Sequence, residues 1–182
     1  QVDAHSRYIV DNFADYSEPR CGTLVLFSSR RQMEQVYDEL SKDLQSTILI
    51  QGQLSNREMV RLHKERIDQG RTSVLMGLAS FAEGVDLPGD YCRHVVIAKL
   101  PFAVPDDPLH EALSEWIEDR GGNSFFDISL PIASLRLIQA CGRLLRTEKD
   151  TGTVTILDKR LITKRYGMQM LNALPPFRRE IG

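Results

Sequence analysis

Gln139, Arg143 and Arg146 recur at intervals of four and three residues in the segment Gln139-Ala-Cys-Gly-Arg-Leu-Leu-Arg146. At about 100° per helical residue, the three side chains fall within roughly 60° of arc, with Arg136 at the edge of the same sector. Leu137, Ile138, Cys141, Leu144 and Leu145 point the other way. A helix expected over 131–147 therefore buries one face and presents an amide and two guanidinium groups on the other. Permanently charged forks on a rigid element suit a transferring phosphoryl group, whose oxygens need cations in place before charge develops. Gly142 leaves room on that side for a close approach of ligand or backbone. The same spacing also describes an ordinary solvated helix face.

Two more segments carry polar chemistry. Ala79-Ser-Phe-Ala-Glu-Gly-Val-Asp-Leu-Pro-Gly89 follows directly on an apolar run ending near Gly77. There Gly84 is free to take backbone shapes closed to other residues. Asp86 can accept from a ribose hydroxyl, and Ser80 with nearby amides can hold a phosphate at a strand's carboxyl end. A turn that uses Gly, Asp and Pro only for geometry is the plain alternative. Leu24-Val-Leu-Phe-Ser-Ser-Arg-Arg31 runs from a strand pattern into a helix start. The amides and hydroxyls of Ser28 and Ser29, with Arg30 or Arg31, suit a nucleic-acid phosphate, while a serine N-cap beside surface arginines reads the same letters.

These residues need a scaffold, and the hydrophobic pattern supplies one. Short β-branched runs at 23–27, 47–50, 73–77, 94–99 and 153–157 read as buried strands. Helical patterns lie between them at 30–44, 55–69, 106–119 and 131–147, with two more flanking at 3–14 and 160–173. Alternation throughout predicts a single α/β domain whose parallel sheet is covered by helices on both faces. Ser55 with Glu58 has capping-box spacing, Ser129 before Pro131 reads as another helix start, and Gly70 sits where a left-handed cap closes a helix. Leu100 to Pro108 and Gly121 to Ser129 resist the pattern and read as loops.

Composition narrows the function classes. The chain has 182 residues, 42% hydrophobic and 26% charged, enough for one domain with a core. A formal net charge of -2 means that a nucleic acid, if bound, is held by a local basic stripe. No apolar run approaches the roughly 20 residues of a membrane span, and the start lacks a signal-peptide layout, so a cytoplasmic protein is expected. Cys21, Cys92 and Cys141 are an odd number at wide spacing, which fits reduced, structural thiols. The P-loop, dinucleotide-binding, nucleophile-elbow and zincin-helix signatures are all absent from the chain. Chemistry here would need half of its active site from elsewhere, and a first residue other than Met suggests a piece of something longer.

The three polar segments, in this order and at these intervals, closely resemble motifs IV, V and VI of the second RecA-like motor domain of superfamily-two helicases. Leu78 to Leu87, the Leu100-Pro-Phe stretch through Asp107-Pro108, and Leu137 to Arg146 are similar to the bacterial DinG branch of the XPD-like group. Asp158-Lys-Arg-Leu-Ile-Thr-Lys-Arg-Tyr-Gly167 and Leu174-Pro-Pro176 resemble that family's tail. The resemblance spans nearly the whole chain, and 1–182 is expected to be one such motor domain.

The resemblance implies an ATP- and Mg2+-dependent DNA helicase that moves 5′ to 3′ on single strands, acts on forked or loop DNA and works at the bacterial nucleoid. It implies that Arg143 and Arg146 act as arginine fingers, with Gln139 beside them, on a γ-phosphate held by a first motor domain. Glu83, Gly84 and Asp86, with Gly142, would serve the nucleotide side, and Ser28, Ser29, Arg30 and Ser80 would meet the DNA. A 4Fe-4S cluster is implied for the family, but three scattered cysteines cannot hold one, so it is expected in another part of the protein. The rival reading is a non-catalytic α/β module that docks on nucleic acid or a protein partner and never meets ATP.

Overall fold

In the computed structural model, which describes residues 1–102, 108–142, 152–175 and 178–181, the five β-branched runs form five strands. These are β1 (Thr23–Phe27), β2 (Ile48–Ile50), β3 (Val74–Leu78), β4 (His94–Ile97) and β5 (Thr153–Ile156). All pair in parallel, in the order β2-β3-β1-β4-β5. The period of two along each strand sorts the core into two layers. Leu24 and Leu26 join Leu75, Val95 and Ile97 on one face, while Val25 and Phe27 join Met76 and Val96 on the other.

Each layer is closed by helices whose apolar stripes match it. The second face takes α1 (Ala4–Asn12) and α2 (Arg30–Glu39), through Ile9, Met33 and Val36, with Phe13 just past α1. The first face takes α4 (Asn56–Asp68), α5 (Ala79–Glu83) and α7 (Leu130–Gly142), through Met59, Phe81, Ala133 and Leu137. The helices α3 (Lys42–Gln45), α6 (Pro108–Asp119), α8 (Arg160–Thr163) and α9 (Arg165–Asn172) complete the set among the described residues. At about 2 kcal/mol for each large side chain removed from water, the fully buried Leu24, Leu75 and Phe27 alone stabilise the sheet substantially against chain entropy.

Several boundaries depart from the sequence expectation for local reasons. The helix expected over 30–44 breaks after Glu39 because Ser41 caps a new one, its Oγ accepting from the Leu44 amide at 3.2 Å. The helix expected over 160–173 breaks at Lys164, which is extended. The loop expected over Gly121 to Ser129 is mostly helical. Asn123 Oδ1 accepts from the amides of Phe125 and Phe126, and Asp127 accepts back from the Asn123 amide at 3.0 Å. The start signal is thus Asn123 rather than Ser129. A wide π-type turn at Phe125–Ser129 then leads into α7, which absorbs the missing donor of Pro131. Gly70 closes α4 with φ +76, and Ser55 Oγ caps its start by accepting from the Glu58 amide at 3.2 Å. Glu58 does not complete the capping box: its carboxylate pairs with Arg61 instead.

Candidate functional site

Because every strand runs the same way, all five carboxyl ends open on one edge of the sheet. The order reverses beside β1: the chain leaves β1 towards β2, and leaves β3 to cross β1 and reach β4. Open parallel sheets bind ligands in the crevice outside such a reversal. Here Leu26 of β1, Ile97 of β4, Ala82 of α5 and Ala140 of α7 form the apolar floor of a shallow cleft. Glu83, Lys99, Arg136 and Gln139 are among its lining residues.

Each wall has a local cause. α5, a helix the sequence pattern did not signal, turns tightly out of β3 because Gly77 has no side chain. A Cβ there would lie 2.7 Å from the ring of Phe81, which is buried beneath it. This fold-back brings Glu83 to the rim. The stripe Ala133, Leu137, Ala140 and Cys141 holds α7 to the sheet, so Arg136 and Gln139 stand clear of the core. Burial pushes the Cys141 thiol up to about 12, which keeps it an inert packing group.

Two side chains tie the strand ends where the backbone ladder stops. Gln51 Oε1, just past β2, accepts from the amide of Leu78 at 2.8 Å. Asp158 Oδ2, just past β5, accepts from the amide of Leu100 at 2.9 Å. Burial pushes the Asp158 pKa up, but hydrogen bonds from Arg160 and from the Leu100 and Arg160 amides outweigh it, so its carboxyl is held below the usual range.

The expected site residues meet different outcomes. Gln139 and Glu83 are brought together in the cleft, with Arg136 beside them. Gly142 is exposed, and among the described residues nothing lies within 4 Å of the position a Cβ would take. Arg143 and Arg146 lie outside the described residues.

Gly84 departs from its expectation. Its φ is -99, which any residue adopts, and a Cβ would meet nothing nearer than 3.9 Å, so its place after α5 needs no glycine conformation. Asp86 and Ser80 are exposed near the same edge. Ser29 is the N-cap of α2, its Oγ accepting from the Gln32 amide at 3.3 Å, so the plain reading of that residue holds. Ser28 is half-buried beside it. Arg30 is exposed, pairs with Glu34 at 4.0 Å, and sends its guanidinium across to Gly52 beyond β2. Sequence reasoning missed Lys99, Gln51 and Asp158; all three follow directly on a strand's last residues, which is the signal that would have found them.

Lys99, Arg136 and Gln139 are the groups here that can meet an oxyanion, with the Glu83 carboxylate opposing it in the same cleft. No group of three His, Cys, Asp or Glu that could hold a metal occurs among the described residues. Cys92 and Cys141 are buried in the core, so these thiols do not fit an iron–sulfur cluster on this domain.

Three aromatic rings meet one another among the described residues. Phe102 stacks on Phe125 at 5.6 Å, and Tyr166 packs edge-on against both. Phe126 remains exposed.

Comparison with known proteins adds to this geometry. The model of the helicase C-terminal domain matches residues 15–177. The ATP-dependent DNA helicase DinG of Photobacterium profundum is 45% identical over 184 residues, covering 100% of this chain and 27% of the relative. The protein of the same name from Escherichia coli is 44% identical over 181 residues, covering 97% of this chain and 25% of its own. The chain thus spans about a quarter of the length of these curated relatives. Among solved structures, an XPD helicase superposes with a TM-score of 0.66 at 21% identity, over 92% of this chain and 30% of that one. The C-terminal domain of the DEAD-box protein Dbp5 superposes with a TM-score of 0.51 at 17% identity, over 94% of this chain and 77% of that one. Both structural likenesses are of fold.

Proposed function

The chain belongs to the helicase C-terminal domain family, and we propose on that premise that it is the second motor domain of an ATP-dependent 5′ to 3′ DNA helicase, spanning residues 1–182. One observation carries the reading. Glu83 of α5 and Arg136 and Gln139 of α7, distant in sequence, line one cleft with Lys99 at the carboxyl ends of the strands. The name carried by the relatives, ATP-dependent DNA helicase DinG, supports ATP and DNA as its substrates.

In this reading the cleft is one wall of an ATP site and a first motor domain supplies the other. Arg143 and Arg146, which follow Gln139 closely in the sequence, act on the γ-phosphate. Mg2+, held on the opposite wall, would neutralise charge on the phosphates. The arginines contribute cations that need no reorganisation when charge develops, an effect of about 10³ to 10⁵ in rate where such fingers have been measured. Glu83, Gly84 and Asp86, at the end of α5, link that wall to the strand edge. There Ser28, Arg30 and Ser80 grip single-stranded DNA phosphates, and the Ser29 hydroxyl, already an N-cap, adds to them. Contacts that differ between nucleotide states bias the cleft open or closed, and a grip on each side converts that change into movement along a strand. Forked and loop DNA at the nucleoid are the substrates of the full protein, and a 4Fe-4S cluster, where present, belongs to another domain.

The test is DNA-stimulated ATP hydrolysis by the full-length protein with Arg143→Ala or Arg146→Ala. Turnover is expected to fall by about 10³ or more while ATP binding is largely kept. Unchanged turnover would leave the domain as a binding module without a part in hydrolysis.

A further inference from the structure

The chain leaving β4 turns away from the sheet, and the last backbone bonds it makes there are Ala98 N–H to Leu26 and Leu157 N–H to Ile97. Beyond them a side chain takes over. Asp158, with 7% of its side chain exposed, accepts from the Leu100 amide and from the Arg160 amide at 3.1 Å. It also holds the Arg160 guanidinium through Nε, at 2.9 Å to Oδ1, and through a terminal nitrogen to Oδ2. The same guanidinium lies 5.0 Å from the ring centre of Phe102. Phe102 is in turn packed on Phe125 and Tyr166. Leu100 is buried at 1% exposure and its carbonyl accepts from the Phe102 amide, so the segment 99–102 is gripped at both ends. Two of its residues, Lys99 and Pro101, line the cleft.

We propose that Asp158 and Arg160 are positioning residues for the cleft: their fork holds the 99–102 segment so that Lys99 and Pro101 form its wall. The inference rests on the reading of that cleft as the ATP-facing wall. The carboxylate does what the end of β5 cannot, continuing the ladder for one more amide. The planar guanidinium forks onto the carboxylate while its central carbon lies over the Phe102 ring, a combination that lysine cannot reproduce. Lys99 and Pro101 follow the backbone that this fork fixes, so its loss shifts the cleft wall without removing any group from it.

The test measures DNA-stimulated ATP hydrolysis and thermal stability of the full-length protein for Asp158→Asn, Asp158→Glu, Arg160→Lys and Gln139→Ala. Asp158→Asn and Arg160→Lys are expected to lower kcat/KM for ATP by about tenfold or more. DNA affinity should stay within about twofold, and Asp158→Glu, which keeps the charge, should recover part of the loss. A lowered Tm with kcat/KM unchanged for both variants would reduce the fork to a structural staple and overturn the inference. Should Asp158→Asn fail to fold, Arg160→Lys carries the same readout. Normal turnover in Gln139→Ala would instead overturn the reading of the cleft, and the inference with it. Impaired Gln139→Ala beside normal Asp158→Asn and Arg160→Lys would overturn the inference alone.

Discussion

Lowering the pH from 7 to 4 should destabilise this domain through one histidine at the amino-terminal edge of the sheet. His63 of α4 is fully buried. Its Nε2 lies 2.7 Å from the carbonyl of Tyr91, which can only accept, so Nε2 carries the proton and Nδ1 accepts from the Ser73 hydroxyl at 2.7 Å. Burial, reinforced by nearby Arg66 and Lys64, outweighs the Tyr91 bond and lowers the His63 pKa to about 4. An unfolded histidine titrates near 6.5, so between the two values the unfolded chain binds the extra proton and stability falls as pH falls.

The linked loss is about 2 kcal/mol at pH 5 and about 3 kcal/mol at pH 4, levelling off below that once the folded state is protonated too. His94 is also lowered by burial and adds a loss of the same sign. The decisive comparison is therefore urea unfolding of the native sequence against His63→Gln across pH 4 to 7. The variant should start about 2 kcal/mol less stable at pH 7, from the loss of buried hydrogen bonds, match the native sequence near pH 5 and exceed it by about 1 kcal/mol at pH 4. Parallel curves, with the same gap at pH 4 as at pH 7, would refute the claim that His63 is held neutral.

Three other expectations follow from the same geometry. Ser29→Gly costs α2 only a few tenths of a kcal/mol because glycine is a tolerable N-cap, so a several-fold loss of single-stranded DNA affinity at unchanged Tm would report a phosphate contact; unchanged affinity would make Ser29 a cap and nothing more. Gly22→Ala places a Cβ 1.9 Å from the Tyr91 carbonyl oxygen and 2.6 Å from His63 Nε2, and should cost about 3 kcal/mol or more in a denaturation experiment; a near-neutral result would contradict that close approach. Of the three thiols, half-buried Cys21 should react with a disulfide reagent in the native state, slowly because burial raises its pKa, while buried Cys92 and Cys141 should react only on unfolding; a second fast thiol in the native protein would be the contrary outcome.

Much of this architecture was legible in local pattern. The five apolar runs became five parallel strands because β-branched residues buried on both faces leave few other options, and Gly70 closed α4 as its position suggested. The misread stretches were those in which a side chain redirects the backbone. Asn123 and Asp127 capped a helix through a region whose adjacent glycines read as loop. Gly77 is required by its contact with Phe81 rather than by its own φ, a reason that spacing cannot reveal. Gln139 and Glu83, which line one cleft, were picked out by periodicity and by family resemblance respectively. Lys99 and Asp158 were not, because their importance comes from which strand end lies next to which, and that order is a property of the assembled sheet.

The two edges of the sheet solve the same physical problem to different ends. Every strand end leaves a backbone donor or acceptor without a ladder partner. At the amino-terminal edge His63 and Ser73 close the gap from inside the core, and Gly22 is pressed beneath them against Tyr91. That arrangement allows almost no displacement. At the carboxyl edge the side chains of Gln51 and Asp158 close it from the segments just past β2 and β5. Those hold the strand ends while leaving the 99–102 segment and α5 as separable walls of a cleft. A motor domain needs both properties: a body that does not yield when its partner closes on it, and a rim whose parts respond to what is bound. Weakening the first edge should therefore lower stability at unchanged kcat/KM, and weakening the second should lower kcat/KM with the smaller change in stability.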